Sequence, residues 1–81
     1  MTRAEILERT IEIFRDVFDD DAISITDDTT AADIEDWDSL THITLVSEIE
    51  SAFHYKFQMK EVLSMQNVGE MLDILEKHMN P

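Results

Sequence analysis

The sequence predicts an all-α fold: a four-helix bundle of three longer helices and one short helix, with a long loop between helices 1 and 2. Apolar residues recur at steps of three and four in separate stretches, the spacing that lines one face of a helix. The chain has one Gly (Gly69) and one Pro (Pro81), too few breakers for a turn-rich sheet. Its 81 residues make a single domain, 1–81, and 43% of them are hydrophobic. A chain this short buries only about 60% of its unfolded surface, so its core is modest.

Helix 1 is expected to start at Thr2, with Glu5 three residues on completing a capping box. Ile6, Leu7, Ile11, Ile13, Phe14, Val17 and Phe18 form its apolar side, and Arg3, Glu8, Arg9, Glu12, Arg15 and Asp16 cover the outside. It should end near Phe18. A long connection follows, from Asp19 to Asp38, where Ile23, Ile25 and Ile34 are expected to reach the core and Asp27, Asp28, Thr29 and Thr30 offer turns and caps. A loop of this length in a small domain is usually functional. Leu40, Ile43, Val46, Ile49 and Phe53 then mark helix 2, from about Ser39 to His54. A short helix 3 is expected over Met59–Ser64, after Phe57. Asn67 should cap helix 4, with Glu70 as its reciprocal partner and Val68, Met71, Leu72 and Leu75 facing inward.

Composition excludes several function classes. The net charge is −13, from 19 acids against 6 bases, so nucleic acid and anionic membrane surfaces would be repelled and basic protein patches attracted. Arg3, Arg9 and Arg15 lie in the first segment and Lys56, Lys60 and Lys77 in the last third; from Asp16 to Tyr55 there is no Lys or Arg. The absence of Cys removes a disulfide framework, a thiol nucleophile and a zinc finger. If the chain handles thioesters, the sulfur must arrive on a prosthetic group. The N-terminus lacks the apolar stretch of a secretory signal, and no run long enough to span a bilayer is present, so a cytoplasmic location is expected.

Asp38-Ser39-Leu40 stands where the acidic loop ends and helix 2 begins. Ser39 therefore falls in the first turn of a helix, with its hydroxyl expected to be exposed because the preceding loop is too charged to bury. A phosphate ester formed there would meet unpaired backbone N–H groups and the positive end of the helix dipole. Asp38 is placed to cap the helix through those N–H groups.

The run Glu35-Asp36-Trp37-Asp38-Ser39-Leu40-Thr41-His42-Ile43-Thr44-Leu45-Val46 resembles the attachment motif of the acyl carrier protein family, as do the length, acidity and helix pattern of nearly the whole chain. The resemblance implies that Ser39 carries 4'-phosphopantetheine, placed there by a phosphopantetheinyl transferase that uses coenzyme A and Mg²⁺ and that Asp38 helps to orient. It implies a non-catalytic carrier, monomeric, that holds acyl groups as thioesters for partner enzymes of fatty-acid, polyketide or related biosynthesis. Those partners would dock with basic patches on the exposed side of helix 2, at Asp36, Leu40, Thr41, Glu48 and Glu50. Departures are visible: Asp36 replaces the Gly usual three residues before the Ser, Trp37 follows it, and Thr41, His42 and Thr44 stand where fatty-acid carriers show more acid. They suggest a specialised carrier.

Leu40 reads equally as an exposed partner contact or as a core residue at the helix top. Trp37 reads as a plug sealing the loop against the bundle or as a recognition residue. Met59, Met65, Met71 and Met79 either fill gaps or let the bundle open around an acyl chain. Ser39 and His42 lie three apart, but no orienting third residue or oxyanion-hole motif accompanies them, so a hydrolytic pair is rejected. His42, His54 and His78 are read as surface residues and not as a metal site. The Asp19-Asp20-Asp21 run lacks the Gly and closing Glu of a calcium loop. A D-alanyl or other aminoacyl carrier remains an alternative within the class, and an unmodified acidic helical adaptor an alternative outside it.

Overall fold

The computed structural model describes residues 1–79. It contains α1 (Arg3–Val17), α2 (Ser39–Phe53), the short α3 (Met59–Ser64) and α4 (Val68–Met79), with no strand among the described residues. The expected four helices are present, and α1 packs against both α2 and α4. Phe14, Ile6, Leu45, Ile49, Met71, Leu72, Leu75 and Val68 are fully buried and form the centre of the core.

Local chemistry sets the helix starts. The Thr2 hydroxyl accepts from Glu5 N–H (3.2 Å), and Glu5 Oε1 accepts from Thr2 N–H (2.9 Å), which is the box predicted from the spacing. The inner stripe of α1 is narrower than expected. Ile6, Thr10 and Phe14 are buried and Phe18 closes the helix, whereas Leu7, Ile11, Ile13 and Val17 are only half-buried. Thr10 was not expected inside. It is tolerated there because its Oγ1 donates to the carbonyl of Ile6 at 2.7 Å, so no polar atom is left unpaired. At the other end of α2, His54 caps the helix in the left-handed region, φ 53°.

The long connection is stitched down at several points. Ile25 is buried, Ile23 and Ile34 are half-buried against the core, and a 3₁₀ turn at Ala31–Asp33 interrupts what the sequence suggested was irregular chain. Thr30 N–H donates to Asp33 Oδ2 at 2.9 Å to start that turn. The loop also caps α4: Val68 N–H donates to Thr29 O and Gly69 N–H to Asp27 O, both at 2.8 Å. Asn67 Oδ1 accepts from Glu70 N–H (2.8 Å) as expected. The reciprocal bond differs from expectation, because Glu70 Oε2 accepts from Gln66 N–H (2.9 Å) and not from Asn67. Arg3 gathers the same region, with its guanidinium within 3.1 Å of Asp27, 2.7 Å of Asp73 and 2.9 Å of Glu76.

Tyr55 ties the α2–α3 connection to α3 and α4. Its hydroxyl donates to Glu61 Oε1 (2.9 Å), lies 2.9 Å from His78 Nε2, and its ring stacks on His78 at 4.1 Å. His78 is a surface residue, as expected, and is also engaged in a contact between elements. Removal from water, with Glu61 beside it, pushes the Tyr55 phenol up from its usual range.

The docking of loop to α4 has a direct test. A Cβ on Gly69 would sit 2.8 Å from the Asp27 carbonyl oxygen, a backbone atom that no rotamer change can move away. Ala is the better helix former by up to about 1 kcal/mol, but overpacking costs roughly 1–3 kcal/mol. Gly69→Ala should therefore lose on the order of 1 kcal/mol in urea unfolding, and a midpoint at or above wild type would show that the loop yields without cost.

Candidate functional site

Trp37 anchors the site. Its indole is buried, meets Phe14 edge-on (centroids 5.2 Å, interplanar 87°) and lies 6.5 Å from Phe18. It is the plug between loop and bundle that the sequence offered as one of two readings. Its Nε1–H donates to His42 Nδ1 at 3.1 Å, and the two rings stack at 5.9 Å. His42 is half-buried, with its Nδ1 partnered.

One residue further on, Asp38 is the N-cap of α2. Its Oδ1 accepts from Leu40 N–H (3.0 Å) and Thr41 N–H (2.9 Å). Thr41 closes the box: its Oγ1 accepts from Asp38 N–H (2.7 Å) and donates to the Asp36 carbonyl (2.8 Å). Thr41 N–H foremost, then the Thr41 hydroxyl and Leu40 N–H, hold the Asp38 carboxyl below its usual range. Two of the N–H groups expected to be unpaired at this helix start are therefore occupied, because a carboxylate on the adjoining residue reaches them first.

Ser39 is the first residue of α2 and is exposed, and its hydroxyl has no hydrogen bond among the described residues. It stands at the head of two grooves. One, of about 540 Å³, runs between α2 and α3 past Ile43, Val46, Phe57, Met59 and Leu63. The other, of about 340 Å³, is bounded by Ala31, Trp37, Val62, Leu63 and Met65. The six-residue α3 lines both grooves through Val62 and Leu63.

Four large apolar side chains stay in solvent around them: Leu40 (77% exposed), Ile43 (65%), Met59 (72%) and Leu63 (78%). Leu40 is outside the core, which removes its reading as a core residue at the helix top. Ile43 shares the helical spacing of Val46, Ile49 and Phe53 but, unlike them, is exposed. Among the methionines Met71 is fully buried in the core, Met65 and Met79 pack partly against it, and Met59 and Met65 each line one of the grooves.

The remaining expected partner residues separate. Asp36 and Glu48 are exposed. Thr41 is half-buried in the capping box, and Glu50 is half-buried with its Oε2 accepting from Phe57 N–H at 2.8 Å. Both do structural work, invisible to periodicity because it comes from bonds made across a cap and a loop. The groove residues Ile43, Val62 and Leu63 and the Trp37–His42 pair were missed as site residues; two apolar residues too many on one helix, Leu40 and Ile43, were the available signal. Among the described residues no cluster of three or more His, Cys, Asp or Glu is arranged to bind a metal, and no helix is long and apolar enough to cross a membrane.

An exposed serine on a capped helix start, flanked by open apolar grooves, defines a carrier domain for a tethered group. Residues 8–75 match the family described as phosphopantetheine attachment site. The solution NMR structure of a holo acyl carrier protein from Geobacter metallireducens is similar, with a TM-score of 0.86 and 40% identity over 91% of this chain and 85% of that one. Comparison with curated proteins gave no match. The chain belongs to the acyl carrier protein family, and its prosthetic group is covalently attached 4'-phosphopantetheine. The residues at Ser39 fit that group, with a solvent-facing hydroxyl and open space on both sides.

Removing the cap carboxylate by Asp38→Ala should lower the thermal midpoint, while Asp38→Asn, which retains a capping oxygen, should recover most of the loss. Because the folded-state carboxyl is depressed, its contribution is fully present above the unfolded value of about 3.9 and disappears as pH falls through the folded value. The gap between wild type and Asp38→Ala should accordingly narrow in acid toward that between Asp38→Asn and Asp38→Ala, since the neutral carboxyl keeps a capping oxygen. A gap that persists unchanged at pH 2 would mean that the charge on Asp38 contributes nothing.

Proposed function

We propose that this chain carries acyl groups as thioesters on an arm attached to Ser39 and delivers them to separate enzymes of fatty-acid, polyketide or related biosynthesis. The observation that supports this best is the Ser39 hydroxyl itself, exposed and without a hydrogen bond among the described residues, within the segment that matches the family. Attachment joins Ser39 Oγ to the nearer phosphorus of coenzyme A, breaks the pyrophosphate bond, sends the hydroxyl proton to a base of the transferase and releases adenosine bisphosphate. The arm supplies the thiol that this Cys-free chain lacks.

The protein's own residues do the presenting. Trp37 fixes the loop, Asp38 and Thr41 fix the first turn, and Ser39 projects from a rigid corner that a transferase can enter. Tethering then keeps the cargo at high effective concentration near any docked enzyme. The chain itself serves as a non-catalytic carrier.

The docking face combines the exposed apolar residues Leu40 and Ile43 with the exposed acids Asp36, Asp38 and Glu48. Apolar exposure on this scale beside the tether point fits transient partner contact. Anions around it favour partners with Lys and Arg patches, including the transferase. Glu50 contributes less here, because one of its oxygens is engaged by Phe57 N–H. An aminoacyl cargo such as D-alanine would use the same residues. The family's covalent arm is what weighs against an unmodified adaptor.

Intact mass after incubation with coenzyme A, Mg²⁺ and a broad-specificity transferase should rise by one phosphopantetheine, and Ser39→Ala should show no gain. A wild-type chain that stays bare would end the proposal. Separately, Glu48→Lys should slow loading by cognate enzymes several-fold and added salt should slow the wild type, whereas Glu8→Lys on α1 should change little. Equal rates for all three proteins at low salt would remove electrostatic docking from the account.

A further inference from the structure

We infer that His42 is an arm-positioning residue that donates a hydrogen bond from Nε2–H to the phosphodiester on Ser39. The inference rests on attachment at Ser39 and goes beyond it by assigning the donor that meets the new charge.

The argument begins with what the helix start lacks. A phosphodiester on Ser39 brings a negative charge into a stretch, Asp16 to Tyr55, that holds no Lys or Arg. The N–H groups of Leu40 and Thr41 are occupied by Asp38 Oδ1. Among the described residues only Ser39 N–H is left open in that turn, and one N–H is a thin complement for an anion beside the Asp38 carboxylate.

His42 supplies the second donor. Residues three apart on a helix are surface neighbours, with Cβ atoms about 5–6 Å apart. Helical side chains lean back toward the N-terminus, so the imidazole covers the turn that opens with Ser39. His42 and Ser39 line both grooves together, so the ring stands where the two meet.

Its protonation pattern follows from its partner. An indole N–H can only donate, so His42 Nδ1 must accept the 3.1 Å bond from Trp37 Nε1. The proton of the neutral ring then resides on Nε2. That nitrogen has no partner among the described residues, and no side-chain nitrogen or oxygen is both buried and unpartnered, so Nε2 opens to solvent. Trp37 is in turn immobilised against Phe14 and Phe18. A buried aromatic cluster thereby presents one outward donor, fixed in tautomer and ring plane, beside the tether point. Neutral donation suits a carrier, since the bond to the phosphodiester steadies the arm's root without locking it as an ion pair would.

The test uses the full chain as wild type, His42→Ala and His42→Gln, each treated with coenzyme A, Mg²⁺ and a broad-specificity transferase. Intact mass reports loading, long-range ¹H–¹⁵N spectra report the imidazole, and ³¹P spectra report the phosphodiester. All three proteins should gain the arm. In the wild type the ring should be the Nε2–H tautomer before loading, and its Nε2 resonance should move on loading. The ³¹P resonance should shift in His42→Ala and return toward wild type in His42→Gln, whose side-chain amide restores a donor. Loaded proteins with identical ³¹P shifts, or an Nδ1–H tautomer, would overturn the role of His42 and leave Ser39 attachment standing. Failure of the wild type to gain mass would instead overturn the attachment, and this inference with it.

Discussion

The placement of Trp37 in the aromatic cluster of Phe14 and Phe18 governs most of what surrounds Ser39. A large indole removed from water gives the end of a highly charged loop one strong reason to stop at a defined place, since burial of a large apolar side chain is worth roughly 1.5–3 kcal/mol. With residue 37 fixed, residue 38 falls at the helix boundary, where its carboxylate caps α2. Residue 39 then becomes the first helical position and faces out. The same indole bonds to His42 one turn along, so loop, cap and helix share a common reference point.

Charge is the second constraint. With 19 acids and 6 bases, the fold cannot pair its carboxylates with cations one for one. Backbone N–H groups take up part of the deficit: Glu5, Asp33, Asp38, Glu50, Glu61 and Glu70 all accept from main-chain donors at caps or in loops. Arg3 serves three carboxylates from α4 and the loop at once. Asp36 and Glu48 are left in solvent, where their repulsion is tolerable and their field extends outward. The arrangement turns an excess of acid into a surface with a direction.

Openness beside Ser39 has a simple origin. The six-residue α3, with its own Leu63 facing out, leaves Ile43 of α2 in water and two grooves between the elements. Stability is sacrificed at that face, since apolar side chains stay hydrated. Tyr55 compensates at the far end, where its contacts with Glu61 and His78 hold the short helix against α4.

Much of this was legible in the chain. Thr2 with Glu5, the four helices, the inward face of α4 and the place of Ser39 all follow from short-range rules, because caps and helix periodicity act over three or four residues. The exposure of Leu40 stayed open and that of Ile43 went unread for the same reason: periodicity identifies an apolar face but says nothing of whether another element covers it. For Thr41 and Glu50 the sequence did not show the bonds that the cap and the Phe57 N–H make to them. The loop's attachment through Asp27 and Thr29 to the start of α4, the burial of Thr10 and the pairing of Trp37 with His42 required the fold. Sequence alone determined which hydroxyl stands at a helix start, since that depends on neighbours along the chain; only the tertiary structure decided what surrounds it, since that depends on which distant segments leave space.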